Sequence, residues 1–458
     1  MLKNRFILFI VSLVMFMESV DTTIINTSIP IMAKSLNTDP LNLKLALISY
    51  LLSLAIFIPI SGWVADRFGT KKVFMIAVGI FTLSSIACGF SANINQLIVF
   101  RMLQGMGSSI SLPIGRLIIL RSFKRHEIVS NMGFVIMIAS LGSMLGPFIG
   151  GMISSYFCWR WIFWVNAPFG ALTIVLAWLY LPRFPKVTVH ALDKLGFILF
   201  GLGLSTLTFG LSSLSDNFFS TTCSILAVVT AGLLFSMYAL HSKNLKNPII
   251  RIDLFEIKTF RISMLNNTFF RIIVGGIPFM MPLMLQISLG LTPQISGLLL
   301  APIAIGVLVM KSIDTQILKY FGYKNILRTN CATIALSLWS FTTIQNDSSL
   351  FYIALLTFIF GFVISLQYAS LNSLAFANIQ EESLSSATSM MSTTQQVGLS
   401  FGVAFAAILL RFLPNHDLIS LEVFHDSFLI CGSLSFSMLF SFKTMSKEDG
   451  MEMIQPNA

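Results

Sequence analysis

Gly62-Trp63-Val64-Ala65-Asp66-Arg67-Phe68-Gly69-Thr70-Lys71-Lys72 joins two long apolar segments, and its reading decides the fold. Four of its eleven residues are charged, in a 458-residue chain that is 55% hydrophobic and only 10% charged. A soluble globular protein carries about a quarter charged residues. Mean hydropathy is +0.84. The flanking segments run to roughly 20 residues, the length of helix that crosses about 30 Å of hydrocarbon. A short charged turn between two such segments marks a polytopic membrane protein. The segments are continuous rather than alternating, which argues against the dyad pattern of a membrane barrel.

Working outward, fourteen spans are expected, at 6–33, 45–65, 73–92, 96–120, 129–154, 161–182, 195–214, 221–241, 260–286, 294–318, 326–345, 350–377, 385–412 and 424–442. A net charge of +10 would suit a nucleic-acid partner, but its distribution excludes that reading. Most Lys and Arg fall in alternate loops and in the tails, the bias that places those loops on the cytoplasmic side, so both termini are expected there. Five scattered cysteines with no Cys-x-x-Cys pair support neither a disulfide framework nor a metal site. Met1-Leu-Lys-Asn-Arg5 and the apolar run after it resemble a signal peptide. Glu18 and Asp21 interrupt the run, which continues to Ala33 with no small-residue cleavage site, so an uncleaved first span is expected.

Charge inside the spans is the sharpest chemical signal. Glu18 and Asp21 lie at i, i+3 on one face of span 1. An ionised carboxylate at bilayer depth costs at least ~3 kcal/mol, so it is paired, faces water or holds a proton. Each state suits proton coupling; a permanently paired carboxylate that only orients helices is the plainer alternative. Span 4 carries a polar stripe, Arg101, Gln104, Ser108, Ser111 and Gly115, at three- and four-residue spacing. Arg101 is a candidate partner for Asp21. In span 5, Gly142, Gly146, Pro147, Gly150 and Gly151 make a flat face for close helix approach. In the second half, Ser386, Ser389, Thr393, Gln396 and Ser400 share a face of span 13, and Ser365, Tyr368 and Asn372 a face of span 12. Such faces line a cavity or bond helix to helix. Arg271 lies too deep in span 9 to snorkel easily, whereas Arg116 lies near the inner surface and Lys311 and Asp314 in span 10 are spaced to neutralise each other.

These strings carry a family resemblance. Gly62-x-x-x-Asp66-Arg67-x-Gly69-x-Lys71-Lys72 is similar to the signature loop of the major facilitator superfamily. Asp21-Thr-Thr-Ile-Ile-Asn26-Thr-Ser-Ile-Pro30, Arg101-Met-Leu-Gln104-Gly105-Met-Gly107, Gly146-Pro147-x-x-Gly150-Gly151 and Trp159-Arg160-Trp161…Asn166-Ala-Pro168-Phe-Gly170 resemble segments of its fourteen-span EmrB/QacA-type drug:proton antiporters. Gly115-Arg116-Leu117, Leu289-Gly290-Leu-Thr-Pro293, Met310-Lys311 and Phe321-Gly322-Tyr323 point within them to the MdtD type.

The resemblance implies an all-α integral membrane fold of two six-helix bundles plus two extra helices. The expected divisions are 1–182, 183–258 for the two inserted helices, 259–443, and a cytoplasmic tail at 444–458. A faint repeat, Phe68-Gly69-Thr-Lys-Lys-Val against Phe321-Gly322-Tyr-Lys-Asn-Ile, agrees with it. It implies a monomeric exporter in a bacterial inner membrane, driven by protons, with no cofactor, no metal and room for accessory efflux subunits. Asp21, Glu18 and Arg101 would handle the proton. Gly62, Asp66, Arg67, Gly69 and Lys71 would form a conformational latch, with Gly62 packing closely and Asp66 capping a helix or pairing across the bundle interface. Asn26, Gln104, Ser108, Arg271, Tyr368, Asn372, Thr393 and Gln396 would line the substrate cavity. Basic residues in the spans outnumber acidic ones, so an exporter of an organic anion, such as a carboxylate metabolite or its metal chelate, stands as the alternative. An enzyme is not expected: the five histidines lie in loops or near span ends. No Gly-x-x-x-x-Gly-Lys-Ser/Thr loop suggests an ATP-driven pump.

Overall fold

The computed structural model of the protein describes residues 2–184, 191–213, 221–243, 245, 248–380, 383–412, 420–446 and 448–450. His190, His416, Lys246 and the end of the tail (451–458) lie outside the described residues. Every regular element among those described is helical. Among the described residues, thirteen helices are long and apolar enough to cross a membrane. The helix where span 11 was expected, Tyr323–Ser340, is eighteen residues long and carries Lys324 and Arg328 in its first two turns.

The chain forms two compact units. The first holds residues up to Ser205 with 245–249 and 292–297. It contains α1 (Leu2–Ile24), α2 (Ile29–Ser35), α3 (Lys44–Phe68), α4 (Thr70–Gly89), α5 (Ile94–Ser122), α6 (Arg125–Tyr156), α7 (Trp161–Trp164) and α8 (Asn166–Tyr180), and the start of α9 (Lys194–Ser213). Here α1 packs on α6, α5 and α8, and α5 on α3 and α4. Span 1 was expected as one helix. It is interrupted by a 3₁₀ turn at Asn26–Ser28. Pro30 lacks the N–H that would bond the Asn26 carbonyl, so the α pattern cannot run through. The core inside α1, α4, α5 and α8 is aliphatic and aromatic, built on Val11, Val14, Phe74, Val78, Ile114 and Ile118.

The second unit contains α10 (Thr221–Lys243), α11 (Lys258–Val274), α12 (Ile277–Leu283), α13 (Pro293–Lys311, from Leu298 on), α14 (Asp314–Phe321), α15 (Tyr323–Ser340), α16 (Leu350–Ala375), α17 (Leu384–Phe412) and α18 (Leu421–Ser437). Span 9, also expected as one helix, breaks after Val274 at Gly275–Gly276, ahead of Pro278 and Pro282. Span 10 divides too: α13 ends at Lys311 and Asp314 opens α14. Lys311 and Asp314, expected to neutralise each other, form no direct ion pair among the described residues, yet the Asp314 charge lies near enough to act on Lys311. The Asp314 carboxylate takes the Thr315 hydroxyl instead, at 3.0 Å. On α10, Leu226, Val229, Leu233, Met237 and Leu240 are all exposed. Such an apolar face has no place in water and belongs against acyl chains. In the connector after α10, the Arg251 guanidinium donates to Asp253 and holds that carboxyl below its usual range.

The faint repeat is a repeat of a turn. Gly69 (φ 96°) and Gly322 (φ 73°) each stand between two helices in the left-handed region that favours glycine. Two residues on, Lys71 Nζ donates to the carbonyls of Trp178 and Leu181, both at 2.8 Å, at the C-terminal end of α8. Lys324 Nζ likewise donates to the carbonyl of Met445, just past the helical turn that follows α18. Each lysine therefore satisfies carbonyl oxygen left over where a helical segment of its own unit ends.

Candidate functional site

The α5 stripe faces α1. Arg101 Nη1 lies 2.7 Å from Asp21 Oδ2, and both side chains are buried. Gln104 bridges them: its Oε1 accepts from Arg101 Nη1 and its Nε2 donates to Asp21 Oδ1, each at 2.8 Å. Asn166, in the first turn of α8, donates Nδ2 to the same Asp21 oxygen at 2.8 Å and to Ser85 Oγ at 3.0 Å. Two amide donors and a cation thus surround one carboxylate. Arg101 also lies over the Tyr50 ring, 4.1 Å from its centroid. Its Nε is buried with no hydrogen-bond partner.

Glu18, one turn earlier on α1, is held differently. Its two oxygens meet the hydroxyls of Ser108 and Ser111, and among the described residues no cation pairs with it. Tyr50 Oη donates to Ser108 Oγ at 3.0 Å, joining α3 to the network. Ser111 Oγ also lies 3.0 Å from the Gly107 carbonyl. A hydroxyl has one proton. If Ser111 gives it to Gly107, the bond to Glu18 needs a proton from Glu18.

Gln104 and Ser108, expected to line a substrate cavity, are fully buried and committed to these carboxylates, which corrects that assignment. Sequence reasoning missed Tyr50, Ser85 and Asn166 as members. Asn166 lies within the Trp159–Gly170 string, and an asparagine beside α7 in an otherwise apolar stretch was the available signal.

Gly142, Gly146 and Gly150 fix where α1 stands. A Cβ on Gly142 would lie 2.7 Å from the Phe16 carbonyl; on Gly146 it would collide with Thr23 Oγ1, and on Gly150 with the Ile24 carbonyl. Gly151 meets the Pro293 carbonyl, in the short 292–297 segment of the same unit. Thr27 Oγ1 donates to the Pro147 carbonyl at 3.2 Å, the acceptor lying in the glycine-rich turn itself.

In the loop motif, Asp66 Oδ1 pairs with Arg121 Nη2 at 2.6 Å, and Arg121 Nη1 reaches Thr70 Oγ1 at 2.8 Å. The basic partner is therefore on α5 in the same unit, and cross-bundle pairing gives way to this contact. Gly62, for which close packing was expected, has no atom within 4 Å of a Cβ position. Arg67 is exposed. Lys71 is not a free interfacial charge but the cap of α8. Replacing Lys71 with Met should cost about 1–2 kcal/mol, the worth of charge-assisted bonds at a helix end. Lys72→Met, at an exposed position, should stay within about 0.5 kcal/mol of wild type. Thermal unfolding of the two purified variants compares them, and equal losses would remove the cap.

In the second unit, Asn267 Oδ1 accepts from Arg271 Nε at 2.8 Å, and the guanidinium lies 4.4 Å from the Tyr368 ring centroid. Asn267 Nδ2 donates to Asn372 Oδ1 at 2.8 Å, and Gln395 Nε2 to the same oxygen at 3.1 Å. Arg271 lies about 20 Å along α11 from Lys258, at 1.5 Å per residue. Thr393 is buried with its hydroxyl unbonded, and Gln396 is half-buried one turn on. Asn26 is buried in the 3₁₀ turn of span 1. Among the described residues no group of His, Cys, Asp and Glu could hold a metal.

The family pattern of the Major Facilitator Superfamily matches residues 11–403. The chain belongs to that superfamily. It is a multi-pass membrane transporter and not an enzyme. A Haemophilus influenzae protein named "Probable transport protein HsrA" is 33% identical over 97% of each chain. A Salmonella heidelberg protein bearing the multidrug-resistance name MdtD is 34% identical over 93% of this chain and 91% of its own. Two solved structures share the fold. A D-xylose-proton symporter superposes with TM-score 0.71 at 14% identity, covering 97% of this chain and 98% of its own. A peptide transporter, POT, superposes with TM-score 0.72 at 16% identity, covering 98% and 95%.

Proposed function

We propose that this transporter is a proton-coupled antiporter that exports small molecules by alternating access. The observation that carries the reading is a charge mismatch: two buried carboxylates, Glu18 and Asp21, share one buried cation, Arg101. An uncompensated charge at this depth is expensive, so the cluster favours one bound proton. Glu18 has no cation and two hydroxyl neighbours, one with a competing acceptor, which makes it the natural holder of that proton. Asp21 has the cation and two further bonds, which suits the ionised form.

Coupling follows from that division. A proton that reaches Asp21 weakens its hold on Arg101. The guanidinium, with Nε already unbonded and an aromatic face beneath it, has somewhere to go. The two arrangements of Arg101 then bias two states of the carrier, and the ligand that prefers one state shifts the population. The names of the MdtD relatives favour drugs or similar solutes as cargo, moved across a bacterial inner membrane with both termini in the cytoplasm. The bilayer is the one structural partner this scheme requires, and the coupling ion replaces any cofactor; a monomer suffices.

Reconstitution tests it. In proteoliposomes loaded at acid pH, with cationic ethidium and anionic fluorescein compared, adding the transported dye should release lumenal protons and accumulate the dye. One pH unit supports about tenfold accumulation per proton exchanged. Uphill movement that persists after protonophore and ionophores collapse every ion gradient would overturn the proposal.

A further inference from the structure

We propose that Arg271 seats an anionic group of the cargo, a carboxylate or a phosphate, within the second unit. This rests on the transport reading above and adds the charge of what is carried. Arg101 and Arg271 are the two buried arginines among the described residues. Arg101 has Asp21. Arg271, only 9% exposed, has neutral company: Asn267 Oδ1 on Nε and the Tyr368 ring beside the guanidinium. Among the described residues no carboxylate pairs with it.

The surrounding amides sharpen the case. Arg271 Nε is a donor, so Asn267 must turn its oxygen toward it and its nitrogen away. That nitrogen donates to Asn372 Oδ1, as does Gln395 Nε2. The Asn372 oxygen is thus spent twice. Among the described residues its own Nδ2, both Nη atoms of Arg271 and the Tyr368 hydroxyl meet no protein acceptor. Uncommitted donors accumulate around the guanidinium. Such a cluster fits an oxyanion, and the planar fork of an arginine fits carboxylate or phosphate geometry in particular.

Two features argue against a structural strut. The side chain runs back toward Asn267, four residues earlier, so its charge points away from the carbonyls that end α11. A Cβ on Gly398 would stand 2.9 Å from Arg271 Cβ, so α17 closes one side and holds the arginine in place. A lipophilic cation would meet this fixed charge as repulsion.

The test uses the full-length protein in phosphatidylcholine nanodiscs, with thermal unfolding followed at constant ionic strength. Succinate and inorganic phosphate are the probes, and tetraphenylphosphonium is the cationic comparison. Either anion should raise the unfolding midpoint saturably, because a ligand that binds only the folded state stabilises it. Arg271→Gln should weaken that effect by about 10- to 100-fold in apparent affinity, and Arg271→Lys less so. Without anion, Arg271→Gln should melt higher than wild type, because it removes a charge that nothing neutralises. Tetraphenylphosphonium should protect Arg271→Gln at least as well as wild type.

Equal anion protection in Arg271→Gln, or no protection of wild type by either anion, overturns the proposal. A lower midpoint for anion-free Arg271→Gln makes the arginine a strut and also overturns it. Protection that appears only when phosphatidylglycerol replaces phosphatidylcholine assigns the site to a lipid headgroup rather than to cargo. Asp21→Asn separates this proposal from the coupling reading: it should keep anion protection and lose proton-driven transport.

Discussion

Asp21→Asn should abolish proton-driven export while the protein still inserts and folds, with uptake into acid-loaded vesicles falling at least about 100-fold. An amide is nearly isosteric with the carboxylate, so packing survives. Its chemistry does not. Asp21 Oδ1 accepts from Gln104 Nε2 and Asn166 Nδ2 while Oδ2 accepts from Arg101. One side of an amide is a donor, so either those two nitrogens or Arg101 would face another N–H. Breaking one member of a buried pair costs about 3–5 kcal/mol, most of it from the charge left behind. Here Glu18 is close enough on α1 to ionise and take part of that burden, so the loss in stability should fall below that range while coupling disappears.

Glu18→Gln completes the argument from the other side. Gln imitates the protonated acid, so this variant should fold as well as wild type and keep proton-driven export through Asp21. Loss of that export in Glu18→Gln would show that Glu18 itself must release its proton, and full activity in Asp21→Asn would remove Asp21 from the mechanism.

Much of this arrangement was readable in the chain because helices impose a period. Arg101, Gln104, Ser108 and Ser111 recur at three and four residues, and the structure turns that one face toward Glu18 and Asp21. The spacing could not say which of these residues line open space and which are spent on other side chains. Gln104 and Ser108 belong to the second kind, because burial depends on what α1 brings to meet them. Asn166 and Tyr50 escaped for a related reason. Each is a single polar residue in an apolar run, and its partner is fixed by tertiary packing alone. The breaks in spans 1 and 9 were marked by Pro30 and by Gly275-Gly276, yet hydropathy averages over them. The role of Lys71 was hidden by composition. A lysine in a basic loop reads as an interfacial charge until the end of α8 is seen beneath it.

The glycines of α6 are where packing and coupling meet, and Gly150→Leu should be the most destabilising single change in the first unit. Overpacking ordinarily costs about 1–3 kcal/mol, because neighbours shift or side chains leave their rotamers. At Gly150 the obstacle to even a Cβ is the Ile24 carbonyl, with Thr27 Oγ1 2.7 Å away, so backbone would have to move. The upper end of that range or beyond is expected. Gly232→Ala on α10, where nothing lies within 4 Å, is the control and should be neutral or stabilise by up to about 1 kcal/mol from helix propensity. The displaced element would be α1, which carries both carboxylates three residues apart. A shift of about 1 Å at Ile24 is enough to stretch the 2.7 Å Asp21–Arg101 contact out of hydrogen-bond range. Gly150→Ala, the smallest trespass, should therefore lose coupling before it loses folding: vesicle uptake falls severalfold while the unfolding midpoint drops only a few degrees. If Gly150→Leu melts with wild type, α6 does not set the position of α1, and the glycine face has no part in holding the proton site together.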